Sequence, residues 1–358
     1  MNILDYLDWR GDIKFEERAF NEVDNLIFST LAYVDMEGLI DEKGTSVSEL
    51  YRKYKEAGYD QSGMIINPLP LLERAACSDR YKNVLMKYYV NKIDAEKQLQ
   101  FSAVTFEFAQ TAYVAYRGTD NTLAGWHEDC NMSYLPKTAG QCEAVNYLNA
   151  ISEKTKYDLI VGGHSKGGNF AVYASAFCNP EIHQRILKVY SNDGPGFNNT
   201  IADSEEYLAV IAKTEHIITD SSIVGILLSS KSKSKVIKSS AMGFDQHNPY
   251  TWNVICTEFQ KAESLSQASA FMDTTTTKWI DSLSDESKKI LIDSIFDSLE
   301  SSGATTIDDI SNKKWEVYNS MIRAVTFMSA EKKNEIGQSI KKLFDAGKNT
   351  IVGGLYKP

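Results

Sequence analysis

Apolar and polar positions follow a helical spacing over the first part of this 358-residue chain. In 20–39 the apolar residues recur at helical intervals, and 69–89 is rich in Leu, Ala, Lys and Arg. Both patterns favour amphipathic helices. The sequence therefore predicts a leading, mostly helical cover over residues 1–95.

The spacing changes to that of strands at Leu99. Residues 101–108 and 113–118 predict two short strands joined by a tight turn at 110–111. Further predicted strands alternate with predicted helices. The strands are 159–161, 186–191, 216–219 and 236–240, and the helices include 140–155 and 169–177. Alternation of this kind is typical of an α/β fold, so we expect a mostly parallel sheet wrapped by helices.

After about Cys256 the strand signals end, and helical runs alternate with polar breaks. Residues 285–300 carry one apolar stripe behind a capping serine, and 315–327 has a similar pattern. The Thr-rich run 274–277 is a plausible linker. We expect a domain over 1–262 and a helical C-terminal region over 263–358, which would be a lid, a partner surface or extra packing.

The buried run before residue 162 leads into Gly163-His-Ser165-Lys-Gly167, and a small-residue helical stretch follows. This is the pattern of a nucleophile elbow, where a strand turns sharply into a helix at a strained serine whose Oγ stands clear of the backbone. The alternative, a glycine-rich turn with a capping serine, fits this context less well. Ser165 is the candidate nucleophile.

A serine at an elbow needs a histidine to take its proton and a carboxylate to orient that histidine. Three histidines follow Ser165. His183 is expected at the surface and His216 at the far end of a strand, whereas His247 lies in a polar loop after a predicted strand. His247 is therefore the candidate base.

Two aspartates can orient that base. Asp220 directly follows a predicted strand, which places it at the same sheet edge as the elbow and gives the order Ser165, Asp220, His247. Asp193, in Ser-Asn-Asp-Gly-Pro-Gly one strand earlier, remains the alternative, although its surroundings favour a structural turn. We prefer Asp220.

Two backbone N–H groups are expected to bind the oxyanion. The N–H of Lys166 lies at the predicted helix N-terminus, and the loop Arg117-Gly118-Thr119 can present the N–H of Thr119 toward Ser165. The Thr119 hydroxyl is a further candidate donor. For the loop by itself, an ordinary turn would be the better interpretation.

Bulk properties narrow the setting. A net charge of −10 argues against a general nucleic-acid binder. The acidic N-terminus lacks the pattern of a secretory signal, and no apolar stretch is long enough to span a bilayer. The five cysteines are scattered, with no C-x-x-C pair, so neither a disulfide framework nor a metal site is predicted. A cytoplasmic protein fits best.

Four segments, taken in order, resemble the signatures of class 3 lipases: Tyr116-Arg-Gly-Thr119, Gly163–Gly168, Asp193–Gly196 and Thr219–Val224. The opening segment 2–11 and the Gln246-His-Asn-Pro249 run are more closely similar to a bacterial lipase-like family defined as a domain of unknown function. That likeness reaches to about Lys261. It implies an α/β-hydrolase with Ser165, Asp220 and His247 as triad, Thr119 and Lys166 as oxyanion donors, and no stated substrate.

One departure from the lipase pattern concerns Lys166, since class 3 lipases usually carry an apolar residue after the serine. The side chain brings a charge to the rim of the expected site, where it would pair with Glu128 or Asp129 or favour an anionic acyl substrate. The ion pair is the safer interpretation.

The sequence predicts a serine acyl hydrolase of the lipase or esterase type, acting on an ester or thioester through an acyl-enzyme. No metal or organic cofactor is needed. The expected partner is a small-molecule acyl substrate, lipid by analogy only, and no nucleic acid. The alternative is a binding or scaffolding protein with little turnover. The basic segment 231–238 would suit an anionic membrane surface, but a solvated loop is favoured.

Overall fold

An eight-stranded sheet forms the centre of the computed structural model, which describes residues 1–59, 66–120, 122–306, 309, 326 and 329–355. Its strands lie side by side in chain order. They are β1 (Thr45–Ser46), β2 (Leu85–Asp94), β3 (Leu99–Phe108), β4 (Thr111–Tyr116), β5 (Asp158–His164), β6 (Ile186–Asn192), β7 (Thr214–Thr219) and β8 (Ser234–Ile237). The first three pairings are antiparallel and the last four are parallel.

Helices cover both faces of this sheet and extend beyond it at the C-terminal end. They are α1 (Ile3–Arg10), α2 (Glu22–Leu31), α3 (Val47–Ala57), α4 (Leu69–Cys77), α5 (Leu123–Asn131), α6 (Ala139–Lys154), α7 (Lys166–Phe177), α8 (Asn199–Ala202), α9 (Glu205–Val210), α10 (Gln267–Ser282), α11 (Asp285–Glu300) and α12 (Ala330–Leu355). A small hairpin pairs β9 (Val254–Ile255) with β10 (Glu258–Phe259). The predicted α/β fold is confirmed.

The alternation of side chains along β4 shows how the sheet separates two cores. Tyr113 and Ala115 pack with the N-terminal helices, whereas Val114 and Tyr116 pack on the other face against α6 and α7. Successive residues of a strand point to opposite faces, and a sheet covered on both sides therefore needs apolar residues at every position. This accounts for the continuous apolar runs in the central strands.

Two local expectations were wrong. The segment 69–89 is a helix only as far as Cys77, and β2 begins at Leu85, because this stretch pairs with β3 on both sides of a bulge that contains Tyr88 and Tyr89. The Thr-rich run 274–277, expected as a linker, lies inside α10, which packs against α12.

Three C-terminal expectations have different outcomes. The helix predicted over 285–300 is α11, whereas the pattern at 315–327 falls almost wholly outside the described residues. The division at residue 262 stays a prediction.

Within the described part of the chain, no helix has the length and apolarity needed to cross a membrane. The basic segment 231–238 leads into β8 as expected, and Lys231 and Lys235 form ion pairs with Asp203 and Glu22.

A buried ion pair joins α2 to the turn that follows α4. The Arg80 guanidinium lies 2.6 Å from Asp24 on α2, with both side chains fully buried. Arg80 also donates to the carbonyl oxygens of Ile13, Arg18 and Ala19. Asp24 accepts further hydrogen bonds from two buried tyrosine hydroxyls, so the charges on this pair are compensated on every side.

We expect Arg80→Met to lower the free energy of unfolding by about 3–5 kcal/mol, because it leaves the Asp24 carboxylate buried without its cation. Urea denaturation followed by circular dichroism measures the change. The matched control is Arg74→Met, which breaks the exposed pair with Asp8 and should cost much less. Equal losses in the two variants would contradict the importance of the buried pair.

Candidate active site

The turn between β5 and α7 holds Ser165 in a backbone conformation that non-glycine residues rarely adopt, with φ 59° and ψ −134°. Ser165 is the N-cap residue of α7, yet its side chain caps no N–H of the helix. Ser165 instead lines a cavity beside the turn, where a nucleophile elbow places its serine.

The glycines of the elbow are required by contact rather than by composition. A Cβ on Gly163 would lie 2.3 Å from the backbone of Gly167, and a Cβ on Gly167 would lie 2.1 Å from the Tyr116 carbonyl oxygen. Both distances are shorter than any real carbon contact. The end of β5, the start of α7 and the end of β4 can therefore meet only where side chains are absent.

The structure pairs His247 with Asp193 rather than with Asp220. His247 Nδ1 lies 2.7 Å from Asp193 Oδ2, and the His247 ring and Ser165 line the same cavity. Asp220 instead accepts a hydrogen bond from Gln246 Nε2 at 3.0 Å. The expected contact between Asp220 and His247 is not formed, and Asp193, the alternative residue, makes that contact instead.

The reason lies in the turn after β6. Asp193 has φ 50°, and its N–H donates to the Ile217 carbonyl oxygen of the next strand, so this turn fixes the backbone from which the side chain reaches His247. Ser222 donates to its other carboxylate oxygen. Burial would raise the pKa of Asp193, but the hydrogen bonds and charge of His247 and the Ser222 bond hold it below its ordinary value.

The predicted oxyanion loop lies against the elbow. A Cβ on Gly118 would lie 3.0 Å from the Ser165 Cβ, and Thr119 lines the cavity beside Ser165. The Thr119 hydroxyl donates to Asp129 Oδ2 at 2.5 Å. Because that proton is already engaged, the backbone N–H of Thr119, not its hydroxyl, is the better candidate oxyanion donor.

The side chain of Lys166 is buried instead of standing at the rim. Its Nζ lies 3.3 Å from Glu128 Oε2 and 3.7 Å from Asp129 Oδ1, and it donates to the Gly125 carbonyl oxygen. The ion-pair interpretation is confirmed. Burial raises the pKa of Asp129 to about 6, while the Lys166 ammonium and the Thr119 hydroxyl act in the opposite direction.

A cavity of about 330 Å³ opens from these residues. Its volume falls at the lower end of the range for small-molecule sites. Apart from the polar groups at the elbow, and from Ser133 and Lys288, most of its lining is apolar. The apolar lining residues are Tyr33, Ile66, Trp126, Cys130, Pro195, Val224, Leu227, Leu228, Phe244, Trp279, Ile280, Leu283, Leu291, Ile292 and Ile295.

A family model described as Mbeg1-like matches residues 75–297, which include the elbow, Asp193, His247, all of α10 and α11 as far as Asp297. The chain belongs to the Mbeg1-like family. No curated protein matches it.

Three solved structures of lipases or related proteins are distantly similar to this Mbeg1-like chain. A fungal lipase–inhibitor complex is 15% identical over 62% of this chain and 81% of its own, with a TM-score of 0.37. The native Rhizomucor miehei lipase–propeptide complex is 15% identical over 60% and 68%, also at 0.37. A mutant form of MDLA from Penicillium cyclopium is 11% identical over 68% and 87%, at 0.36. Similarity at this level says nothing about activity.

His164 of this Mbeg1-like chain connects the elbow to the His247 loop. Its Nε2 donates to the His247 carbonyl oxygen at 2.8 Å, which leaves Nδ1 to accept from the Tyr33 hydroxyl at 3.1 Å. Burial, aided by the nearby His247, lowers the pKa of His164 to about 3. A neutral His164 thus holds the loop that contains His247 against the end of β5, next to Ser165.

The sequence alone does not indicate the supporting roles of three of these residues. It marks His164 only as part of the elbow pattern, Gln246 only as part of the His247 loop, and Asp129 only as a partner of Lys166. His164 could have been suspected from its place at the end of a buried strand. Nothing in the local sequence indicates the bond between Gln246 and Asp220.

We expect the free energy of unfolding to decrease as the pH is lowered, because the folded protein holds His164 in its neutral form. The unfolded chain binds a proton at this histidine below about pH 6.5, whereas the native state with its pKa of about 3 does not. The contribution is therefore present above pH 6.5 and is lost toward pH 3, at up to about 1.4 kcal/mol per pH unit.

Urea denaturation between pH 7 and pH 4 measures this slope. His164→Gln should show a shallower dependence than the wild type, and His183→Gln, which changes a half-buried histidine after the Pro180 turn, should keep the wild-type slope. A wild-type slope in His164→Gln would show that His164 is not held neutral.

Proposed function

We propose that this protein is a serine acyl hydrolase in which Ser165 is the nucleophile, His247 the general base and Asp193 the orienting carboxylate. The observation that carries the proposal is the 2.7 Å bond between His247 and a fully buried Asp193, on a histidine that shares its cavity with an elbow serine. A carboxylate on Nδ1 leaves Nε2 as the acceptor that a serine proton needs.

The reaction follows from these positions. Ser165 Oγ attacks the carbonyl carbon of an ester or thioester while His247 Nε2 takes its proton, and the Asp193 carboxylate stabilises the imidazolium that forms. Lys166 is the first residue of α7, so its N–H has no acceptor within the helix and can bind the oxyanion together with the N–H of Thr119.

The second half of the reaction regenerates the serine. His247 gives its proton to the leaving alcohol or thiol, which departs and leaves an acyl group on Ser165. Water then attacks this acyl-enzyme, with His247 again as the base, and the carboxylic acid is released. No group beyond these residues and water enters the steps.

The lining of the cavity supports an uncharged acyl substrate. The Lys166 ammonium, which would have favoured an anionic acyl group from the rim, is fully buried and paired with two carboxylates. The other lysine of the lining, Lys288, donates to the Ser133 carbonyl oxygen and lies 3.3 Å from Asp285 Oδ1. Most of the remaining wall is aliphatic or aromatic and suits a hydrocarbon chain.

A fluorophosphonate probe tests the nucleophile directly. We expect the wild type to be labelled at Ser165 and to hydrolyse p-nitrophenyl esters, and Ser165→Ala to do neither, because the attacking oxygen is gone. Peptide mapping by mass spectrometry identifies the labelled residue. Equal labelling of the two proteins, or none in either, would contradict the proposal.

The choice of carboxylate gives a second prediction. Asp193→Asn should lower kcat by about three to four orders of magnitude, because the amide no longer holds His247 in the required tautomer. Asp220→Asn is the matched control and should stay close to the wild type, since Asp220 bonds to Gln246 instead. Ester hydrolysis by both variants, with their melting temperatures, measures this. The reverse order of effects would restore Asp220 as the acid.

A further inference from the structure

Two helices outside the sheet supply much of the cavity wall. We call α10 and α11, residues 267–300, the C-terminal hairpin. Six of its apolar side chains line the cavity that contains Ser165 and His247. They are Trp279, Ile280, Leu283, Leu291, Ile292 and Ile295. The part of the substrate that reaches away from the elbow therefore meets the C-terminal hairpin.

The hairpin is fastened to the strand ends near the site at its beginning. The N–H of Ser266, the N-cap of α10, donates to the Asp220 carbonyl oxygen at 2.6 Å, and Ser269 Oγ donates to the Ser222 carbonyl oxygen at 2.5 Å. Ser222 in turn donates to Asp193. The start of the hairpin is thus tied to the loop that supports the proposed triad.

A second attachment holds α11 against α5. The His127 ring stacks on Phe296 with 4.4 Å between ring centroids and 3° between ring planes, and its Nε2 lies 3.3 Å from Asp293 Oδ1. An apolar cluster surrounds this contact. Its buried members are Leu123, Phe296, Leu299 and Ala304, with Trp126, Cys130 and Ile292 packed against them. Held at both places, the hairpin is a wall of the cavity rather than a free flap.

We propose that the C-terminal hairpin sets the length of acyl chain that the site accepts, with Leu291 as the main determinant. This inference rests on the proposed function and deepens it. The substrates it selects are neutral esters or thioesters of unbranched, medium-length to long acyl chains. Each methylene buried against such a wall raises binding about fourfold.

Leu291 is the position that separates this role from folding. It is half-buried and lines the cavity, but it does not belong to the apolar cluster that fastens α11 to α5. Its neighbour Ile290 is also half-buried and is not among the lining residues. Substitutions at 290 therefore give a matched control on the same helix.

The experiment compares p-nitrophenyl butanoate, dodecanoate and hexadecanoate as substrates of the full chain. Leu291→Trp fills the cavity, and we expect the ratio of kcat/KM for dodecanoate to that for butanoate to fall roughly tenfold, which corresponds to about two buried methylenes. Leu291→Ala should raise the ratio of hexadecanoate to dodecanoate. Ile290→Trp and Ile290→Ala should leave both ratios as in the wild type.

The ratios keep this result distinct from a loss of folding or of the proposed activity. A uniform loss across all three esters in Leu291→Trp, or unchanged ratios in Leu291→Ala, would overturn the inference. If Leu291→Trp does not fold, Leu291→Ala alone decides.

Binding tests the wall without turnover. Dodecanoate and butanoate are each titrated into Ser165→Ala, and binding is followed by intrinsic tryptophan fluorescence. Dodecanoate should bind more tightly than butanoate, and adding Leu291→Trp should weaken dodecanoate binding roughly tenfold. If the wild type hydrolyses no ester but this binding pattern is found, the proposed function is wrong while the inference about the C-terminal hairpin remains. Equal binding of the two acids would contradict that inference.

Discussion

The bond between Asp193 and His247 is the constraint on which the site depends, because it joins residues 54 positions apart at one edge of the sheet. A buried carboxylate is stable only if its partners are fixed, and Asp193 has them in Ser222 and His247. The loop that carries His247 is fixed in turn. Trp252 is fully buried and donates to the Gln246 carbonyl oxygen, and His164 donates to that of His247.

Much of the fold could be predicted because the relevant signals are local. A strand covered on both sides must be apolar throughout, as in β4 and β5, and a tight contact between backbones admits only glycine, as at Gly163 and Gly167. His247 could be chosen by its place after a strand. These features depend on a few neighbouring residues, so they can be predicted from the local sequence.

Which aspartate contacts His247 could not be predicted in this way. Asp193 and Asp220 both follow strands of a parallel sheet, so both lie at the correct edge. What separates them is a pair of distant contacts: Gln246 bonds to Asp220, and the Asp193 N–H bonds to Ile217. The burial of Lys166 could not be predicted either, because it depends on α5 bringing two carboxylates to the ammonium. Such tertiary contacts outweigh what spacing alone indicates.

Under the proposed function, the positions of the site residues separate bond cleavage from recognition of the acyl chain. Ser165, Asp193 and Thr119 lie at the ends of sheet strands, where a small displacement would break a contact that the proposed reaction needs. Many of the apolar groups that would meet the acyl chain lie on α10 and α11, outside the sheet. An apolar wall tolerates changes of side-chain volume far better than a hydrogen-bonded triad tolerates changes of geometry. On this proposal, changes in the C-terminal hairpin alter the accepted length of the acyl chain while the elbow and His247 stay as they are.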